Sequence, residues 1–272
     1  MIIIKSNQNI KEGVDLNYKI HYCCLSHVGK RRSINQDNFI CNGKYMKGNN
    51  DSFVFPIIGC LTPNSSALLG VFDGMGGEEH GEIASLIASQ CASKVSVGDN
   101  PTESLLQFCH DSNREICKYI DENDLFSMGT TAALLAFADK EIALCNIGDS
   151  KIFRFADRKL EQISVDHYSV AVYGHKPPLS QNLGIPETEM IIDPYVATGP
   201  YNDGDLYLIC SDGLTDMVTA NNISEILLKT EFSNAVNILL KNALENGGKD
   251  NITIILCRVE REKRKLFQRI VR

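Results

Sequence analysis

The residues most able to do chemistry are aspartates that recur in one setting. In "ALLGVFDGMGGEEHGEIAS" (67–85) an apolar run ends on Asp73, and Gly74, Gly76 and Gly77 follow within four residues. The same setting returns in "CNIGDSK" (Asp149), "LICSDGL" (Asp212) and "GGKDNITII" (Asp250), while Asp37 in "RRSINQDNFI" stands just ahead of an apolar residue. One aspartate at a strand end is ordinarily a turn residue or a helix cap. Five in one context, if brought together, would repel one another unless a cation sat among them. Hard oxygen donors, without histidine or cysteine at matching positions, favour magnesium or manganese over zinc. Glycine beside such a carboxylate removes the side chain where backbone must come close. Spacing alone leaves open whether the five converge.

Positioning them requires elements that end where the aspartates lie. "YKIHYCCLS" (18–26), "DNFICN", "FVFPII" and "ALLGVFD" read as strands or short extended pieces. The period then lengthens: Ile83, Ala84, Ile87, Ala88, Cys91 and Val95 fall at helical spacing, as do Leu105, Cys109, Ile116 and Ile120. "TTAALLAFAD", "EIALCNIGD", "KIFRFAD" and "KLEQIS" read as a strand meander on which two amphipathic helices can pack. Residues 166–204 hold five of the eight prolines and little periodicity, a long surface excursion. "DLYLICSDG" follows as a buried strand, then two short helices, the first with Asn222 as its expected cap and Glu225 three residues on. "NITIILCRVE" closes as a strand. Helices and strands in segregated runs indicate an α+β fold.

Composition narrows the class. A chain of 272 residues with 43% hydrophobic residues can bury one large core or two small ones. A net charge of −7 argues against a partner bound through its phosphate backbone, and no nucleic acid is expected. Ten cysteines are scattered with no Cys-x-x-Cys pair, as expected of reduced, buried thiols in a cytoplasmic protein. "MIIIKSNQNIKEG" is too short in apolar length for a signal-peptide core, and "AALLAFA" is far below a membrane span. Residues 1–16 read as a polar lead-in, 17–260 as the folded domain and 261–272 as a basic tail. That tail, "REKRKLFQRIVR", reads as frayed and solvated; contact with an anionic membrane or a partner protein is the alternative.

"RRSINQD", "FDGMGG", "MGTTA", "NIGDSK", "CSDGLTD" and "KDNITII" occur in the order and approximate spacing of the metal-dependent protein phosphatases. The chain resembles this family, the type 2C serine/threonine phosphatases, and most of all its bacterial branch, from roughly residue 20 to residue 259. The resemblance implies a four-layer α-β-β-α sandwich, two central antiparallel sheets flanked by helix pairs. It implies Mn2+ or Mg2+, two per active site, with a weaker third. By the same likeness Asp73 bridges two ions and Gly74 offers its carbonyl oxygen. Asp212 and Asp250 bind the first ion, Asp37 supports the second, Asp149 helps hold the third, and Arg32 grips the substrate phosphate. Arg31 is read as a solvated loop charge. In that chemistry a bridging hydroxide, its pKa lowered between ions about 3.5 to 4 Å apart, attacks phosphorus in line with the departing oxygen. Substrates would be phosphoserine and phosphothreonine proteins made by a protein kinase, and a monomer is expected.

Three positions depart from the family pattern. Met75 stands where many eukaryotic members carry a histidine, and Glu78 where many bacterial members do; His80 reads as a helix-face residue. Lys151 replaces the usual arginine of "GDSR", keeping charge but losing the planar fork. The segment "DHYSVAVYGHKPPLSQNLGIPETEM" is a short, proline-rich substitute for the family's two-helix flap. Two other readings remain open: a catalytically weak member acting as a binding or regulatory module, and a phosphatase of small phosphoesters.

Overall fold

The computed structural model describes residues 2–3, 17–48, 56–63, 67–75, 80–98, 100–138, 141–170 and 176–262. Strand β8 (Ala132–Phe137) shows how the sequence builds the architecture. Ala133, Leu135 and Phe137 face one hydrophobic cluster, whereas Leu134 and Ala136 face another, the alternation imposed by a pleated strand. β14 (Ile252–Arg261) divides likewise, with Ile255, Cys257 and Val259 on one side and Ile252, Ile254 and Leu256 on the other. Strands apolar on both faces must be covered on both faces.

The two layers that result are six-stranded. One sheet has the order β1-β12-β9-β8-β5-β3, built from β1 (Ile2–Ile3), β12 (Tyr195–Pro200), β9 (Glu141–Ile147), β8, β5 (Ala67–Phe72) and β3 (Asn38–Cys41). The other has the order β11-β10-β13-β14-β2-β4, with β11 (Lys159–Gln162), β10 (Lys151–Ala156), β13 (Leu206–Cys210), β2 (Tyr18–His27) and β4 (Ile57–Leu61). A two-stranded ribbon, β6 (Gly74–Met75) with β7 (Gly129–Thr130), stands apart from them, and among the described strands pairing is antiparallel except where Ile2–Ile3 runs parallel to Ala197–Thr198. Between the sheets lie Phe39, Val71, Leu135, Tyr207 and Ile255. Phe137 stands edge-on to both Tyr201 and Tyr207, at centroid distances of 5.8 and 5.6 Å.

Helices α1 (Gly81–Ala92) and α2 (Pro101–Glu122) cover the first sheet through Ala84, Ala88, Leu105, Phe108 and Ile116. Asn100 caps α2 by accepting from Glu103 N, and Pro101 opens its first turn. The one-turn α3 (Asp212–Thr215), with α4 (Ala220–Lys229) and α5 (Phe232–Glu245), covers the second sheet. The four-layer sandwich therefore stands as expected.

Several local expectations differ. The meander is two hairpins in different sheets: β8-β9 and β10-β11 are separated by Gly148 (φ +96°) and Asp149, where the chain changes layer. Helix α4 begins earlier than its expected cap; Thr219 accepts from Asn222 N. The proline-rich excursion contains β12, obscured by Pro200 at its end. Among its described residues up to 194 no helix forms. "FVFPII" yields strand only from Ile57, since 51–55 lie outside the described residues, as do Glu78, residues 4–16 and the tail beyond 262. All ten cysteines are free thiols, seven of them buried. Among the described residues no helix is long and apolar enough to cross a membrane.

Phe137 is fully buried at the meeting of the two sheets. Phe137→Ala should destabilise the fold by about 3 to 5 kcal/mol, read as a lower urea midpoint at unchanged m-value. A loss below about 1 kcal/mol would mean that the inter-sheet core is not packed as described.

Candidate metal centre

The five aspartates leave their strands at one edge of the sandwich. Asp37 directly precedes β3, Asp73 directly follows β5, and Asp149 lies between β9 and β10. Asp212 opens α3 after β13, and Asp250 stands two residues ahead of β14. Asp73, Asp149, Asp212 and Asp250 line one cleft of about 310 Å3 together with Arg32, Gly74 and Lys176. Asp37 is buried, 2% exposed, and is joined to that group from within.

Hydrogen bonds fix these positions through the very motifs that flank them. Ser211 Oγ donates to Asp37 Oδ2 at 2.7 Å and accepts from Thr253 N at 2.9 Å, tying β13, β14 and Asp37 together. Asn251 does the same for the loop that carries Arg32: its Oδ1 accepts from Gln36 N (2.8 Å), and its Nδ2 donates to Val28 O (2.9 Å) and Ile34 O (3.0 Å). Its own N–H donates to Asp250 Oδ1 at 2.8 Å. The "GTT" segment holds Asp73 by its backbone: Thr131 Oγ1 accepts from Asp73 N (3.0 Å) and Thr130 Oγ1 donates to Asp73 O (3.0 Å). Thr131 Oγ1 also pairs with Ser150 Oγ at 2.7 Å, next to Asp149.

Gly74 has a packing reason to lack a side chain. A Cβ there would lie 2.1 Å from Gly81 O and 2.5 Å from Gln36 O, both backbone. Gly213 is constrained in the same way by Asn251 O at 1.9 Å.

The electrostatics are those of crowded acids. Burial pushes the Asp37 carboxyl up to about 7, against the opposing pull of the Thr253 and Ser211 hydroxyls. Burial, then the charges of Asp37, Asp212, Asp149 and Asp250, hold Asp73 well above the usual carboxylate range. Asp212 is raised by burial and partly relieved by Lys176. Asp37 Oδ1 is buried with no hydrogen-bond partner among the described residues. Arg32 Nη2 meets Asp250 Oδ2 at 2.7 Å. Lys176 Nζ meets Asp149 Oδ2 at 2.9 Å, Asp216 Oδ2 at 3.5 Å, and Asp212. Among the described residues no three His, Cys, Asp or Glu side chains form a ready-made chelating group; these two cations are interleaved with them instead. A hard oxygen set, a buried carboxylate oxygen without a donor and carboxyls raised by burial and then by one another's charge fit divalent cations.

Other expected residues fall as follows. Met75 is in the cleft wall, and Arg31 is exposed. His80 is the N-cap of α1 in a left-handed conformation (φ 75°), not a residue of the helix face. Lys151 keeps an ion pair, with Asp166, despite the lost fork. Sequence reasoning missed Lys176, Asp216 and Tyr168, whose OH donates to Asp149 Oδ2 at 3.1 Å. For Lys176 and Tyr168 the only signal was their place in an aperiodic, proline-rich stretch, whereas Asp216 closes the "CSDGLTD" motif.

Comparison with known proteins adds an independent line. Residues 49–252 match the family described as Protein phosphatase 2C. The chain is 31% identical over 215 residues to the serine/threonine phosphatase stp of Listeria monocytogenes, covering 71% of this chain and 83% of that one. It is 31% identical over 207 residues to the serine/threonine protein phosphatase PstP of Mycobacterium tuberculosis, covering 71% of this chain. It spans only 40% of that relative's length. A solved catalytic domain of PstP in complex with two manganese ions superposes with a TM-score of 0.70 at 27% identity, covering 89% of this chain and 99% of that one.

If mutual repulsion governs the cleft, neutralising one of its carboxylates should stabilise the chelator-treated protein. Asp73→Asn is expected to add about 1 kcal/mol at pH 8 in EDTA, measured by urea denaturation. Equal or lower stability would contradict the crowding.

Proposed function

The chain belongs to the protein phosphatase 2C family, and on that premise we propose that it is a metal-dependent protein serine/threonine phosphatase. Residues 17–260 would form the phosphatase domain. The observation that carries the reading is the meeting of aspartates from both sheets at one cleft, with an arginine on its rim. The two manganese ions of the PstP catalytic domain support a divalent cofactor here.

Asp73, the Gly74 carbonyl, Asp212 and Asp250 would hold two divalent ions, Mn2+ or Mg2+, with Asp37 supporting the second. Such ions, when bound, supply a water of lowered pKa and offset charge on the phosphoryl group. Asp37 would gain from them directly, since its buried Oδ1 has no hydrogen-bond donor among the described residues. Arg32 is half-exposed and salt-bridged to Asp250, so the guanidinium stands at the mouth of the cleft on a carboxylate. Transfer of that planar fork to a substrate phosphate would exchange a single carboxylate contact for an oxyanion that it can grip through two N–H groups. Asn251 keeps the Arg32 loop and Asp250 in register while this happens. Phosphoserine and phosphothreonine proteins, left by a protein kinase, are the substrates this reading implies.

The reading is tested by phosphate release from a phosphothreonine peptide with Mn2+, with Mg2+ and with chelator. Wild type should require metal, Asp250→Ala should lose about 100-fold or more, and Arg32→Ala should raise KM about tenfold. A folded wild type that releases nothing with either ion, or an Asp250→Ala protein at wild-type rate, would overturn it.

A further inference from the structure

The flap differs from its surroundings in one respect that the proposed chemistry does not use. It sends a single lysine into the acidic cleft. We infer that Lys176 is a tethered cation standing in the position of a third divalent ion, so that this cleft takes two ions and not three. The inference rests on the metal-dependent reading above.

Three carboxylates converge on one ammonium group. Lys176 Nζ lies 2.9 Å from Asp149 Oδ2 and 3.5 Å from Asp216 Oδ2, and it bonds Asp212 as well. The Asp149 side chain is 6% exposed and that of Asp212 17%, so their charge is poorly served by solvent. Tyr168, from the same flap, donates to the Asp149 oxygen that Lys176 contacts, at 3.1 Å. Asp149 is also the residue for which family likeness implies a third-ion role. Here its carboxylate is already taken by two groups of the chain itself.

The strap that delivers the lysine is built to hold it there. Pro177 and Pro178 follow directly and restrict the backbone of Lys176 and of each other. Ser169 N and Oγ both donate to Pro178 O, at 2.9 and 3.0 Å, and Tyr168 and Leu179 form an isolated bridge. Ser180 N donates to His167 O at 2.9 Å, closing the strap. A cation carried on such a strap is present at any metal concentration. An ion entering the same site would have to displace it and then tolerate an unpaired ammonium nearby.

Bound Mn2+ can be counted by the loss of the free-ion electron paramagnetic resonance signal during titration into the millimolar range. The proteins to compare are wild type, Lys176→Ala, Lys176→Gln and Lys176→Ala/Asp216→Asn. Wild type should saturate at two ions and both single variants at three. Adding Asp216→Asn should weaken the third ion about tenfold. A wild type that binds three ions, or lysine variants that stop at two, would overturn the inference while leaving the two-ion reading intact. A wild type that binds none would remove the metal-dependent reading and this inference with it. Lys176→Ala and Lys176→Gln both remove the charge but differ in side-chain length, so a third ion in both variants ties the effect to the charge, and an unchanged urea midpoint in each excludes a disturbance of folding.

Discussion

Carboxylates that repel one another are held within one cleft, and much of the surrounding structure exists to keep them there. Asp37 and Asp73 have their ionised forms disfavoured by burial and by their neighbours. A chain left to itself would splay these loops apart. Two things prevent it. The edges of the two sheets are locked by the apolar layer between them, and cations of the chain itself, Arg32 and Lys176, sit among the acids. The second device is weaker than a divalent ion would be, because each ammonium or guanidinium carries one charge against two.

The sandwich supplies the rigidity through a few polar residues placed between its apolar faces. Ser211, Asn251 and Thr131 are each buried or nearly so, and each bonds backbone or carboxylate from a distant part of the chain. Buried polar groups of this kind are costly unless satisfied, and here each satisfied bond also aims a carboxylate. The glycines act by the same economy of space: Gly74 and Gly213 let backbone segments touch where a methyl group would collide. The loop bearing Arg32 is drawn against the start of β14 by Asn251, so Arg32 and the acidic cleft are mechanically one unit.

Much of this could be read from the sequence because the signals were local. β2, β8, β13, β14 and both long helices follow from uninterrupted periodicity, and the aspartates were visible as strand-end residues. What was hidden depended on distance. Nothing in "CNIGDSK" distinguishes a hairpin turn from a change of sheet; only the pairing of β9 and β10 with different partners does so. Strand β12 was masked by its closing proline and by its place in an aperiodic stretch. Thr219 was overlooked as a cap because Asn222 and Glu225 offered a better-looking pair. Lys176 was invisible for the plainest reason: its partners are 27, 36 and 40 residues away, and no short motif records them. The cleft's acids were legible as types, whereas its internal cations were not.

The central claim is that these strand-end carboxylates form a binding site for divalent ions. Its most direct test is an anomalous difference map from crystals of the chain grown with Mn2+. The account predicts two strong peaks within the cleft, one bridged to the other by Asp73 and flanked by Asp212 and Asp250. Peaks confined to other surfaces, or a cleft still occupied only by Arg32 and Lys176 at saturating Mn2+, would contradict it.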